Sequence, residues 1–384
     1  MNSGGGFSKL RWICTVLALL LYVVDYGADV FLAGKYFRDG HAVWCSLTLL
    51  FVLLSSMCTQ IFSYAWFCDD VSMEDAQEET GFSSIPHAPL AGFHFLQMGI
   101  FTRYFQLLRK GAKVLWSRCS HEVSEEVHLG LFALATDLSM LRLFEAFLES
   151  IPQLLLQLYI LLMDQGHCSV LQYISMVGSF CNVAWATVDY RRCFRRSLPH
   201  IREMPSGLPT AVYLAYKLLT TGARILGLSL FIVLTPFNLL GLAFMWLLGT
   251  LWAHVLETDF CTSTSLEKLY RVTVGFILIF TFFNVKGQKT AVSMAVYYIV
   301  YALQTLSAPV LLFFFKPEVK TLEYFLPVAL VILTGLALGL GFLSLYYSLL
   351  HPRYDQHQGD EVDGAQRMDR DPERKLRVNR FLQI

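Results

Sequence analysis

The chain is 384 residues long, 55% hydrophobic and 16% charged, with zero formal net charge and a mean hydropathy of +0.49. Soluble domains run at about 45–50% apolar and about 25% charged, so that class is excluded, and the charge balance offers no footprint for a nucleic-acid partner. The nine cysteines include no CxxC pair and no Asn-x-Ser/Thr sequon is present, so nothing points to a metal ribbon or a large oxidised extracellular domain.

In chain order, Trp12–Leu32 is the first expected span. It is too long for a signal peptide, holds Asp25 and Asp29, and lacks a small-residue cleavage site. Ala42–Phe67 is the second, and the acidic run Asp69–Glu79 after it reads as a solvated loop. His94–Leu108 is amphipathic and aromatic, short enough to be half-inserted or re-entrant. Leu129–Met163 is apolar but interrupted at Pro152, since proline lacks the backbone donor and clashes with the preceding turn. The piece from Pro152 to Met163, about 18 Å at the helical rise, is too short to span alone. Cys168–Val188, Leu208–Leu234, Phe237–Leu256, Ala291–Phe315 and Leu322–Leu349 complete the expected spans, with Tyr270–Phe283 a second short stretch.

The expected fold is therefore all-α, a polytopic membrane helix bundle of about eight spans plus re-entrant or half-inserted helices. Two four-span repeats are a further reading, with a membrane half over 1–190, a basic linker over 191–207, a second half over 208–350 and a polar tail over 351–384. Basic residues orient it: Lys9 and Arg11 before the first span, Arg103, Arg109, Lys110, Lys113 and Arg118 after the second, and Arg191, Arg192, Arg195, Arg196 and Arg202 in the centre. The positive-inside rule places all three groups, and both termini, in the cytoplasm.

Charges inside the spans are the informative anomaly. A carboxylate at the centre of a span costs about 2.5–3.5 kcal/mol. Asp25 and Asp29 share one helix face, as do Asp137, Glu145 and Glu149 at multiples of four, with Arg142 three before Glu145 and seven before Glu149. Asp189, Arg192, Lys217, Arg224 and Arg271 could extend a polar path, with Lys217 also able to snorkel to the surface. Asp137 and Arg142 are ion-pair candidates. On the competing reading these charges pair among themselves and only fix helix register. The glycines of Gly335–Gly341 read as helix packing.

In the tail, Asp360-Glu361-Val362-Asp363-Gly364 has the aspartates that executioner caspases read at the first and fourth positions of a cleaved tetrapeptide, and the small residue favoured after the cut. Its polar, glycine-bearing setting suits a protease that binds extended chain. Beyond it, Asp371-Pro372 opens a short basic helix ending in Phe381, Leu382 and Ile384, suited to docking on the bundle or on anionic lipid.

Leu141-Arg142-Leu143-Phe144-Glu145, Ser150-Ile151-Pro152-Gln153-Leu154, Leu269-Tyr270-Arg271-Val272 with Phe282-Phe283-Asn284, and the aspartate pair of the first span resemble the XK-related family over nearly all of the membrane part. Together with the caspase site, the chain resembles the family's apoptotic scramblases. The resemblance implies a plasma-membrane phospholipid scramblase that exposes phosphatidylserine once an executioner caspase (caspase-3 type) removes the tail. It maps the lipid path onto Asp25, Asp29, Glu145, Glu149, Asp189, Arg192 and Arg224, with a gate at Trp44. One relative needs a single-span immunoglobulin-like chaperone subunit; the sequence leaves open whether this chain does. No Gly-x-x-x-x-Gly-Lys-Ser/Thr motif, HExxH, nucleophile elbow or metal-ligand cluster is present, so no cofactor, metal or ATP hydrolysis is expected. An ion channel or solute transporter using the same path, or a non-conducting scaffold, are the other readings.

Overall fold

The protein is described by a computed structural model, which covers residues 7–75, 87–116, 125–163, 170–196, 204, 207–258, 260–284, 291–316 and 323–351. The described chain is helical between its connections, and no strand occurs among the described residues. In order the helices are α1 (Lys9–Arg38), α2 (Ala42–Asp75), α3 (His87–Phe95), α4 (Gly99–Trp116), α5 (Glu125–Glu145), α6 (Ile151–Met163), α7 (Val170–Arg196), α8 (Leu208–Leu234), α9 (Asn238–Val255), α10 (Thr264–Phe280), α11 (Ala291–Phe315) and α12 (Phe325–Leu345). Single π-helical turns lie at Ala146–Ser150 and Tyr346–Leu350.

Seven stretches are long and apolar enough to cross a membrane among the described residues: Lys9–Arg38, Ala42–Asp70, Val127–Met163, Leu208–Leu234, Asn238–Val255, Ala291–Phe315 and Phe325–Leu350. The remaining expected span falls in α7, which at 27 residues is long enough. Gln172, Ser175, Ser179, Asn182 and the charged run from Asp189 keep its apolarity below that of the others. Burial along α1 has the sense expected in lipid. Leu17, Leu20, Leu21 and Val24 face outward while Tyr22, Asp29 and Tyr36 are buried, because hydrocarbon accepts leucine and rejects charge.

Local chemistry sets the helix boundaries. The Ser8 side chain accepts from the Arg11 amide at the start of α1, and Gly40 at φ +81° turns the chain into α2. At that φ a glycine meets no Cβ penalty. Before α8, Gly207 at φ +92° plays the same part, with proline in the first turn. His94–Leu108 is not one segment: Gln97 at φ +64° separates α3 from the amphipathic α4.

Three expectations change. The helix is not broken at Pro152. The π-helical turn over Ala146–Ser150 leads directly into α6, and the spanning stretch runs from Val127 to Met163. Proline gives no N–H and crowds the carbonyl four residues back; the wider π turn accommodates both defects. The acidic run after the second span begins inside a helix, since α2 continues through Asp69 and Asp70 to Asp75. The basic run after Tyr190 is likewise helical as far as Arg196, where cations suit a helix C-terminus. Residues 76–79 of the acidic run and all of 352–384, including the caspase-type sequence Asp360–Gly364, lie outside the described residues.

Packing divides the chain into two compact units, Met1–Glu145 and Ala146–Ile384. In the first, α2 packs on α1, α3, α4 and α5, and α4 also packs on α1 and α5. The Trp12 indole N–H donates to Leu108 O at 3.0 Å, fixing α1 on α4. In the second, α8 is the hub, touching α6, α7, α9, α10, α11 and α12. Thus α7 and α8, which flank the basic loop expected as a linker, pack on each other. Small residues allow the closest approaches. A Cβ on Gly339 would stand 3.1 Å from the Thr220 amide nitrogen, one on Gly335 would stand 3.6 Å from Leu219 O, and one on Gly275 would stand 2.6 Å from the Thr250 amide nitrogen. Gly341, from the same glycine run of α12, faces open space.

Candidate functional site

The first unit gathers its buried charge in two clusters. In one, α1 brings Asp25 within electrostatic reach of Arg142 and Glu145 of α5. Arg142 Nη1 is 2.5 Å from Glu145 Oε2, one helical turn along, and its guanidinium lies 4.9 Å from the Tyr22 ring. Asp29, one turn beyond Asp25, is 8% exposed. The sequence thus located both sides of this cluster.

The second cluster centres on Arg103, which the sequence had assigned to a cytoplasmic basic group. It is 1% exposed, and its Nη1 reaches Asp137 Oδ2 at 3.1 Å and Asp70 Oδ2 at 3.4 Å. Nη2 donates to Ser63 O at 3.2 Å, and the Phe67 ring covers the guanidinium at 4.0 Å. Of the ion-pair candidates, Asp137 pairs with Arg103 and Arg142 with Glu145. Beside Arg103, Ser63 Oγ contacts His94 Nε2 at 3.0 Å, and Gln60 Oε1 accepts from the Gly99 amide at 2.9 Å. Trp44, the gate candidate, is half-buried at the head of α2. It stacks on His41 at 3.9 Å between centroids and meets Tyr36 edge-on at 5.7 Å.

In the second unit, Glu149 sits in the π-helical turn and is 5% exposed. Gln153 and Gln157 follow at intervals of four along α6, both buried. Gln153 Nε2 and Gln157 Oε1 find no hydrogen-bond partner among the described residues. Native proteins seldom leave buried polar atoms in this condition, so α6 presents an unsatisfied polar seam inside the bundle. Uncharged glutamines gave the sequence no signal of it. Asp189 and Arg192 lie half-buried near the end of α7, and Asp189 Oδ1 accepts a long contact from Cys193 Sγ at 3.9 Å.

Arg224 of α8 is 2% exposed. Its Nε donates to Ile279 O at 3.0 Å, Nη1 to Thr305 Oγ1 at 3.3 Å, and Nη2 to Gln304 Oε1 at 2.9 Å and Met245 Sδ at 3.4 Å, with the Tyr301 ring 4.9 Å away. Lys217 does not snorkel. It is 2% exposed, with Nζ directed at Thr281 Oγ1, 2.8 Å away, and Phe282 O, 3.3 Å away. Arg191, near the end of α7, is buried among Tyr213, Tyr346 and Tyr347 at 4.4, 5.3 and 5.5 Å from their centroids, and donates to Tyr347 Oη at 2.9 Å. Arg271 is structural: it donates to Thr258 O and approaches Glu267 at 3.5 Å. Glu267 in turn accepts from the Phe260 and Cys261 amides, tying the α9–α10 connection. No group of three or more His, Cys, Asp or Glu suited to a metal occurs among the described residues.

An all-α bundle with seven candidate spans and charged side chains buried within them is a multi-pass membrane protein. The sequence model of the family described as XK-related protein matches residues 13–352. Among known proteins, XK-related protein 9 of Tetraodon nigroviridis is 48% identical over 364 residues, covering 94% of this chain and 95% of that protein. XK-related protein 8 of the same fish is 34% identical, covering 90% and 84%, and XK-related protein 8 of Pan troglodytes is 34% identical, covering 91% and 86%. The chain belongs to the XK-related family.

Proposed function

We propose that the protein is an ATP-independent phospholipid scramblase that exposes phosphatidylserine at the plasma membrane during apoptosis, and that an executioner caspase switches it on by cutting after Asp363. The observation that carries this reading is polar chemistry buried in spanning helices of each unit: Asp29 and Glu145, the latter paired with half-buried Arg142, in the first, and Glu149, Gln153, Gln157 and Arg224 in the second. A head group crosses a hydrocarbon core only where polar groups replace its water, and intramembrane charges are costly enough to be kept mainly for such paths. Burial of these groups suits a path held shut until the tail is cut. Asp25, Asp29, Glu145, Glu149, Asp189, Arg192 and Arg224 are its proposed lining, and Trp44 its gate. Exposed Arg109 and Lys113, with Lys9 and Arg11, favour cytoplasmic termini.

The test is purified protein in liposomes carrying a trace of fluorescent phosphatidylserine, with dithionite added outside. Quenching should stop at the outer leaflet for intact protein and proceed toward completion after caspase treatment. Quenching that still stops at the outer leaflet after complete cleavage overturns the proposal. Selective ion current without lipid movement would install the channel reading in its place.

A further inference from the structure

Glu149, Gln153 and Gln157 recur every four residues, on one face of the stretch that runs from the π-helical turn into α6. Gln157 lies six residues before Met163, about 9 Å from the end of the span. The two glutamines are 4% and 5% exposed. The other buried residues of α6 are all apolar, and the helix packs on α7 and α8. Buried hydroxyls elsewhere in this unit are closed by their own helices. Thr220 Oγ1 donates to Tyr216 O at 2.8 Å, Ser229 Oγ to Ile225 O at 2.9 Å and Thr305 Oγ1 to Tyr301 O at 2.7 Å. The glutamines are not closed in this way: Gln153 Nε2 and Gln157 Oε1 are enclosed by protein without a hydrogen-bond partner among the described residues.

A donor and an acceptor left unmet about 6 Å apart on one helix face destabilise the folded protein. Leucine, of similar size and equal helix propensity, would remove that cost at both positions, so the fold itself has no use for either amide. The chemistry that completes the pair is a group offering an acceptor oxygen to one amide and a donor or second oxygen to the other. A half-turn about the last side-chain torsion exchanges nitrogen and oxygen, so each amide can give or accept. Phosphodiester and ester oxygens accept from it, and the ammonium of a serine or ethanolamine head group donates to it. An amide carries no formal charge, so it neither repels an anionic head group nor traps it. A transit site has to bind well enough to be entered and weakly enough to be left. Neutral hydrogen bonds, about half as strong as charge-assisted ones, meet both conditions.

We propose that Gln153 and Gln157 form a charge-neutral binding station for phospholipid head groups, between Glu149 and the end of α6, which takes anionic and zwitterionic head groups alike. The lipid phosphate accepts from one amide, and the other meets the next donor or acceptor along the head group. The hydrogen-bonding chemistry stands on the buried amides; its use in transport rests on the scramblase reading above.

The experiment compares the full chain with its Gln153→Leu, Gln157→Leu double variant, in micelles and in liposomes. In uncharged maltoside micelles the variant should melt about 2 °C or more above the parent, because two unmet hydrogen-bonding groups are gone. A lower midpoint, or failure to fold, shows that the amides serve the fold and overturns the station. Dihexanoylphosphatidylcholine and dihexanoylphosphatidylserine, each below its own micellar concentration, should both raise the parent's midpoint and leave the variant's unchanged. No shift in the parent, equal shifts in parent and variant, or a shift with one of the two lipids only overturns it. In liposomes after caspase treatment, the variant should scramble fluorescent phosphatidylserine and phosphatidylcholine about tenfold more slowly than the parent, the scale of one hydrogen bond lost at the barrier. Unchanged rates in the variant overturn the station and leave the scramblase reading standing. A parent that never scrambles, yet shows the lipid-dependent shift that the variant lacks, keeps the station and loses the proposed function.

Discussion

At the scale of residues, Arg103 is the strongest case of burial dictating a role. Its guanidinium is enclosed by Asp70, Asp137, Ser63 O and the Phe67 ring. Removing one partner of a buried pair leaves the other charge uncompensated, which costs about 3–5 kcal/mol. Arg103→Met should therefore destabilise the protein by about that amount, read as a lowered unfolding midpoint in detergent. Asp137→Asn should recover part of the loss in the Arg103→Met background, because it removes the stranded charge; strictly additive losses would show that the pair is not coupled. The sequence exposed Asp25, Asp29, Glu145 and Glu149 because each interrupts an apolar run. It could not reveal Arg103, which lies among other cations in an amphipathic stretch, and whose partner is 34 residues away on α5. Arg191 was hidden for a similar reason: its tyrosines come from α8 and from the turn after α12.

At the scale of elements, hydropathy was sufficient for most helices because lipid selects length and apolarity. It failed where backbone geometry decides. Proline chemistry marks a defect at position 152 but does not say whether the chain breaks or widens. The α9–α10 contact is similarly invisible in sequence, yet it is the tightest glycine approach in the second unit. A Cβ on Gly275 would meet Thr250 Oγ1 and the Thr250 amide nitrogen, and backbone cannot yield as a flexible side chain can. Gly275→Leu should cost about 1–3 kcal/mol or more through overpacking, whereas Gly241→Leu, on the same helix pair with nothing within 4 Å of its Cβ, should be nearly neutral. Comparing the monodisperse fraction and the melting midpoint of the two variants checks this.

For the whole molecule, topology depends on α7. Seven candidate spans alone would leave the termini on opposite sides, whereas a crossing by α7, at 27 residues about 40 Å long, would return both to one side. Epitopes at the two ends should both be stained only after permeabilisation; surface staining of either end would show that α7, or another of the helices, does not cross. The proposed switch belongs to the same scale. Asp363→Ala should reach the cell surface normally and leave phosphatidylserine exposure in apoptotic cells without other scramblases at the level of cells lacking the protein. Normal exposure in that variant would place the control elsewhere.

The glycines that seat α12 on α8 have a mechanical meaning too. Gly335 and Gly339 present no side chain to Leu219, Thr220 and Ala223, so the two helices approach closely there, while Ile332 and Leu336 of α12 are buried in clusters with α8 side chains. Interlocked side chains resist sliding as gear teeth do, and a seam packed this closely holds α12 in one register on α8. The end of α12 carries Tyr346, Tyr347 and His351, the first two closing on Arg191. A pull or release at residue 351 would thus meet the Arg191 cage first, with the α8–α12 seam behind it as a fixed mount.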